Sequence, residues 1–374
     1  MHVIVAGAGV IGLATAWRSL VSGLDVTIVD PDPGGGASHV AAGLLTPVTD
    51  LTRHDDALLA LCMESHRAYP AFVAALEADA GQDAGFHRGG FLDVAGDGAE
   101  SAQLEDLRAF RASLGITAEP LTAAECRRRE PRLGPAVRAG LLAPDEGSID
   151  PRRLTAALLA AVERRGGTLV RERVTEVLID GERAHGLRLA DGRELRGDRV
   201  LLTAGCWTHL LGGLPPGTVP EIRPVKGQVL RLHAETPYLR HTVRAWLAGT
   251  SLYLAPRADG DLVVGATYEE RGYDTTPTAE GLSHLLGGLR ALLPGSGHLA
   301  FTSTRVGLRP GSPDGLPVIG ATEVPDLLVA AGHFRIGIGL APVTAAAMTR
   351  LLVDGTLPEV ARPYTPRRFA PAAS

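Results

Sequence analysis

Residues 2–30 read HVIVAGAGVIGLATAWRSLVSGLDVTIVD, and this stretch constrains the fold more than any other. "HVIVAG" is a short apolar run rich in β-branched residues, the pattern of a buried parallel strand. Val10, Leu13, Ala14, Trp17 and Val21 then recur at helical spacing. Gly23 ends the helix, and "DVTIVD" is a second strand. Gly7, Gly9 and Gly12 form G-x-G-x-x-G in the first strand-to-helix turn. The first glycine permits a tight turn, the second lets backbone approach a pyrophosphate, and the third lets helix pack on strand. The pyrophosphate then rests on the helix N-terminus. Asp30 ends the second strand, where a carboxylate accepts from a ribose hydroxyl. Dinucleotide binding on an α/β fold follows. The single fingerprint argues against an enzyme that moves electrons between two dinucleotides within one chain.

The rest of the chain alternates helices and strands. Residues 56–80 and 99–130 read as helices, the second highly charged and mostly solvated. Asp150 is an N-cap with Pro151 at the first helical position. That helix runs to Gly166-Gly167. Asp-Gly pairs at 180–181 and 191–192 mark hairpins. Strands dominate 218–305, with a helix at 278–293. "STRVGLRPGSPDGLPVIG" is strand, turn, strand, and "DLLVAAG" is another buried strand. An Ala-rich helix covers 338–353, and a loosely ordered tail follows 358.

Composition narrows the function. The 374 residues suit two or three domains. Aromatic content of 4% argues against a base-stacking surface, and the net charge of −5 against polyanion binding, so no nucleic acid is expected. Cys62, Cys126 and Cys206 have no metal-ligand spacing, so no metal is expected, and they fit a reducing compartment. The chain opens directly on a strand, so no signal peptide is expected, and no apolar run reaches membrane-spanning length. A cytoplasmic location is expected.

Further residues invite a chemical reading. Thr203-Ala204-Gly205 ends a strand in small residues, either as a second close approach to a cofactor or as an ordinary strand end. Arg309 at a strand end either clamps a carboxylate through two parallel hydrogen bonds or lies on the surface at a turn. Tyr253 either aids that clamp or sits at the edge of a core. His333 is a base or a structural histidine. "AAGHFRIGIGLAP" (330–342) sets Arg335 and three glycines inside an apolar run, where an unpartnered buried arginine is costly.

Six blocks together resemble the D-amino-acid oxidase family of FAD-dependent oxidoreductases, and within it the glycine oxidase group of thiazole (thiamine) biosynthesis. They are "VIVAGAGVIGLATAW", "GGGASHVAAGLLTP", "DEGSIDPRRL", "LYLAPRADGDLVVGATYE", "VGLRPGSPDGLPVIG" and "AAGHFRIGIGLAPVTA". The resemblance implies a Rossmann-like FAD-binding domain of glutathione-reductase type interleaved with an antiparallel-sheet α+β substrate domain. It assigns 1–80, 145–215 and 305–358 to the first, 81–144 and 216–304 to the second, and 359–374 to a tail. It implies noncovalent FAD, with Val10 and Ile11 at the pyrophosphate, Asp30 at the ribose and Pro31 also in the cofactor set. Ala37, Ser38, Ala42, Gly43 and Leu44 would line the flavin, and Val174 would meet the adenine. Ala204, Gly205 and the run Gly332, His333, Phe334, Arg335, Ile336, Gly337, Ile338 and Gly339 complete the cofactor set. Arg309 and Arg335 would lie at the substrate, with Arg309 the main carboxylate clamp assisted by Tyr253, and Ser251 and Tyr268 in the pocket.

The implied reaction is oxidation of glycine, sarcosine or small D-amino acids by hydride transfer to flavin N5, with O2 as acceptor and hydrogen peroxide as product. A homo-oligomer is expected. The alternatives are a D-amino-acid or N-methyl-amino-acid dehydrogenase, or a noncatalytic FAD-binding subunit. Two positions depart from the family pattern: Ile336 stands where Asn is usual, and Gly339-Leu340 replaces a leucine pair.

Overall fold

The computed structural model describes residues 1–49, 52–247 and 250–369. Its first sheet has six strands, in the order Val318–Ala321, Leu327–Ala331, Arg199–Leu202, His2–Ala6, Asp25–Val29 and Thr168–Val170. All neighbours are parallel except the outer Val318–Ala321 strand. The central strand is buried on both faces, which is why Val3, Ile4, Val5 and Ala6 read as an unbroken apolar run.

Helices Val10–Val21, Asp56–Ala80, Pro151–Arg164 and Gly337–Asp354 pack together on one face of this sheet. Trp17 is the largest side chain there. It is 1% exposed, meets the Phe72 ring edge-on at 5.3 Å, and donates its indole N–H to Asp79 Oδ2 at 2.8 Å. Burial of such a ring is favourable only because that N–H finds an acceptor. The opposite face is covered by a small antiparallel sheet of Val174–Asp180, Arg183–Leu189 and Glu194–Arg196. Its Asp-Gly turns form as expected, with Gly181 at φ 60 and Gly192 at φ 88.

The second large sheet has eight strands, in the order Ala300–Gly311, Arg223–His233, Asp261–Gly265, Thr250–Pro256, Thr242–Leu247, Phe91–Ala95, Ala139–Ala143 and Glu119–Thr122. One face carries Leu230, Leu254 and Val264 onto the Ala279–Leu292 helix. The other carries Val229, Ala255 and Val263 toward Val40 and Ala42 of the first unit. The two-residue period of a strand separates these sets.

Three expectations need correction. The charged 99–130 segment is a helix (Gly98–Ser113), a strand (Glu119–Thr122) and a second helix (Ala123–Arg129). Gly115, at φ 71, turns the chain after the first helix, and Thr122 and Glu125 form a reciprocal capping box that starts the second. Nor is the segment wholly solvated, because Arg111 is fully buried between Asp93 (3.0 Å) and Glu146 (2.9 Å). Burial pushes the Glu146 carboxyl up to about 7, with Arg111 pulling the other way. Past residue 358 the chain packs down through Phe369, and Ala361 and Tyr364 are fully buried; residues 370–374 lie outside the described residues. Finally, Gly337–Asp354 is long and apolar enough to cross a membrane by composition alone. Its apolarity serves packing: it lies against the Val10–Val21 and Asp56–Ala80 helices, with Leu340, Ala341, Ala347 and Met348 at most 1% exposed.

Candidate active site

A cavity of about 1020 Å³ runs between the two large sheets. Cavities for drug-sized ligands span roughly 300–1,000 Å³, so this one suits a large cofactor with a small substrate beside it. One end is made of backbone. Gly7 has φ +110 and donates its N–H to the Val29 carbonyl at 2.9 Å. A Cβ at Gly7 would come within 2.6 Å of the Thr203 carbonyl. Thr203 in turn donates its hydroxyl to the Ala6 and Gly7 carbonyls at 3.0 and 2.7 Å. The Thr203-Ala204-Gly205 strand end is thus built against the glycine turn, and all three residues line the cavity.

Gly9 caps the Val10–Val21 helix, and Val10 and Ile11 follow at its N-terminus, facing the cavity. The Val10 N–H donates to Ser38 Oγ at 3.0 Å. Asp30 is held by two backbone donors, Ala8 N–H on Oδ2 and Asp32 N–H on Oδ1, each at 2.7 Å. Pro31, Ala37, Ala42, Gly43, Leu44 and Val174 continue the wall. Gly12 is not part of it. A Cβ there would sit 2.0 Å from the Gly7 carbonyl oxygen, so Gly12 packs the helix on the turn.

The other end is made of side chains on the eight-stranded sheet. Arg309 donates from Nη1 to the Lys226 carbonyl at 3.2 Å and from Nη2 to the Thr267 carbonyl at 3.1 Å. Two fixed acceptors orient the fork and leave further N–H groups to face the cavity. Tyr253 lies half-buried beside Arg309; burial pushes its phenol up, and the guanidinium draws it back. Ser251 and Arg244 line the same end, and Arg244 stands directly opposite Tyr253 in the ladder. Tyr268, 54% exposed, stands at the mouth with its ring perpendicular to Phe334 at 6.3 Å.

The run after Leu327–Ala331 closes the cavity. Gly332 has φ +71 and serves the turn rather than the wall. Phe334 also adopts positive φ, 47, and its N–H donates to the Pro310 carbonyl at 2.9 Å. Arg335 is exposed at the cavity edge with its guanidinium over the Phe334 ring, so the cost of burying it does not arise. His333 is 3% exposed and its Nε2 pairs with Thr344 Oγ1 at 3.1 Å. Burial pushes its pKa down to about 3, so it is neutral at pH 7 and a weak proton acceptor. Ile336, Gly337, Ile338 and Gly339 bring the start of the last helix to the cavity, where nothing stands within 4 Å of a Cβ built on Gly339. Ser65 Oγ and Tyr69 Oη brace this helix start by donating to the Gly339 and Ile338 carbonyls at 2.6 and 3.0 Å.

Sequence reasoning missed Gly227 and Gly265. A Cβ on Gly227 would lie 2.3–2.5 Å from the Arg309 guanidinium, and one on Gly265 would lie 2.4 Å from the Tyr253 ring and hydroxyl. Each glycine makes room for one side chain of the polar end. A glycine inside a strand is the available signal, because it marks a close approach.

The family model described as "FAD dependent oxidoreductase" matches residues 2–351. The chain is 34% identical over 360 residues to a glycine oxidase of Pseudomonas aeruginosa, covering 94% of each. It is 34% identical over 376 residues to a bifunctional ThiO/ThiG protein of Synechocystis sp., covering 98% of this chain and 54% of that relative, so it spans about half the relative's length. The crystal structure of glycine oxidase from Geobacillus kaustophilus superposes with a TM-score of 0.90 at 28% identity, over 100% of this chain and 99% of that one. The glycine cradle with its strand-end carboxylate, the cavity between two sheets and a match over nearly the whole length lead to one conclusion: the chain belongs to the FAD-dependent oxidoreductase family.

Proposed function

We propose that the chain is a glycine oxidase that converts glycine to its imine with FAD bound in the cavity. The observation that carries this reading is Arg309, fixed by two backbone carbonyls beside Tyr253 at the end of the cavity away from the glycine cradle. A guanidinium with spare donors recognises a small carboxylate. The cradle of Gly7, Gly9, Asp30 and the Val10–Val21 helix N-terminus would hold the pyrophosphate and ribose of noncovalent FAD. The 332–339 run and residues 37–44 would flank the flavin ring, and Val174 would lie at the adenine.

Segments 1–80, 145–215 and 305–358 would form the cofactor domain, and 81–144 and 216–304 the substrate domain. Bound FAD would supply a two-electron acceptor for the substrate's α-hydrogen, with O2 as the final oxidant and hydrogen peroxide as the product. The protein's part is positioning: Arg309 and Tyr253 hold the carboxylate, which fixes where the α-carbon lies. The amine loses one proton and the α-carbon one hydride, giving the imine. Water then releases glyoxylate and ammonia, or the imine enters thiazole synthesis. His333, buried and neutral, takes no proton. Three buried free cysteines fit work in the cytoplasm.

The test is turnover of glycine in air by the FAD-saturated protein. One peroxide and one glyoxylate per O2 consumed is the expected result. Turnover of sarcosine or D-alanine but not glycine would replace the substrate, and no turnover of any of them would overturn the reading.

A further inference from the structure

The sheet face that carries Arg309 and Tyr253 has a second polar zone. Counting by two along the Arg223–His233 strand leads from Gly227 through Val229 to Arg231. Along Thr250–Pro256 it leads from Tyr253 through Ala255 to Arg257, the residue just past the strand's end, and along Ala300–Gly311 from Arg309 through Gly307 to Arg305. Val229, Ala255 and Val263 pack together with Val40, so these arginines share their side of the sheet. Helix Gly36–Val40 lies across the outer strand and beside helix Pro151–Arg164, which brings His39 and Arg152 to the same place. Four arginines and His39 therefore gather at the seam between the two sheet systems, and none of them lines the large cavity.

Their charge is poorly met within the protein. Arg231 is 2% exposed and Arg257 6%. Arg231 Nε and Nη2, Arg257 Nε and Nη1, and Arg152 Nε and Nη2 are buried with no hydrogen-bond acceptor among the described residues. Asp150 and Asp261 offset part of the charge, but both carboxylates are already engaged. Asp150 caps its helix by accepting from Arg152 N–H at 2.9 Å and stands 3.7 Å from Arg257 Nε; Asp261 pairs with His233 at 2.9 Å. Burial, with Arg152 and Arg257 adding to it, pushes Arg231 down to about 10. Burial and the neighbouring arginines also lower His39. Unpaired buried charge of one sign is costly, and a bound ion of the opposite sign relieves it. Arg305 is exposed, so the cluster meets solvent.

We propose that Arg231, Arg257, Arg152 and Arg305 form a binding site for a small oxyanion of the phosphate class, separate from the cofactor cavity. A tetrahedral dianion offers several acceptor oxygens to guanidinium donors converging from two strands, the end of a third and one helix. Such an anion bridges the seam and stabilises the folded protein by mass action.

The test is thermal unfolding of the FAD-saturated protein in inorganic phosphate against chloride at equal ionic strength. At a hundredfold excess over its Kd, phosphate is expected to raise Tm by about 3 °C, saturably. Arg231→Met should abolish the rise. Arg305→Ala, an exposed change that does not threaten folding, should weaken phosphate binding several-fold. Arg309→Ala should leave the rise intact, which separates this site from the carboxylate clamp. Glycerol phosphate matching inorganic phosphate would identify a phosphomonoester ligand; inorganic phosphate or sulfate acting alone would identify the free anion. No phosphate-specific rise, a rise that persists in both Arg231→Met and Arg305→Ala, or one lost in Arg309→Ala overturns the proposal.

Discussion

The two ends of the cavity are built on opposite plans. The cradle end is backbone: Gly7 and Gly9 with Gly12 packed behind them, a helix N-terminus and one carboxylate, all within residues 7–30. The other end, proposed here for the substrate, is side chains: Arg309 and Tyr253 stand on strands far apart in sequence, and each fits only because a glycine on a neighbouring strand makes room. A backbone site tolerates no added atom but needs few particular side chains. A side-chain site needs particular groups and tolerates change around them. The two should therefore fail differently.

The largest effect is expected at the cradle. Gly12→Ala puts a Cβ 2.0 Å from the Gly7 carbonyl oxygen, and neither backbone can yield cheaply. FAD retention after gel filtration should fall on the order of 100-fold, with all activity following it. Retained flavin would break the contrast. Arg309→Ala should keep the flavin and lower kcat/KM for glycine by roughly 100-fold, mostly through KM, as loss of a fixed partner for a desolvated carboxylate implies. Steady-state kinetics against glycine reads this directly.

Gly227→Ala sharpens the contrast, because it acts on the position of Arg309 rather than removing it. Its Cβ would meet the Arg309 guanidinium at 2.3–2.5 Å, so the fork must shift. KM should rise about tenfold with unchanged flavin content. Tyr253→Phe removes one neutral hydroxyl and should raise KM about three- to tenfold.

The smallest effect at neutral pH belongs to His333. Its folded pKa of about 3 lies below the unfolded 6.5, so the unfolded state binds the proton more readily. Stability is then complete above pH 6.5 and falls toward pH 3, by about 1.4 kcal/mol per pH unit at the steepest. His333→Gln, which keeps a partner for Thr344, should flatten acid unfolding followed by circular dichroism between pH 6 and 4.

The same contrast explains what could be read from the sequence. The cradle could, because its chemistry lies in one strand–helix–strand unit whose periodicity and glycines are contiguous. Helix Asp56–Ala80 and the Asp150 cap were legible for the same local reason. The substrate end was not legible from spacing, which left Arg309 and Tyr253 open between function and structure; only resemblance singled them out. Gly227 and Gly265 were missed because their meaning depends on which strand lies alongside. Arg335 looked buried because its neighbours in sequence are apolar, yet the turn through Gly332 and Phe334 lifts it to the surface. The charged 99–130 segment looked like one solvated helix because the partners of Arg111, Asp93 and Glu146, lie on other elements.

The most direct test of the central claim is anaerobic mixing of the purified yellow protein with glycine while the flavin's visible absorption is followed, in the wild type and in Arg309→Ala. Bleaching in the wild type, recovery with peroxide when air enters, and a half-saturating glycine concentration about 100-fold higher in Arg309→Ala are the predicted results. A wild-type flavin that glycine leaves oxidised, or a variant that bleaches at the same glycine concentration, would contradict the account.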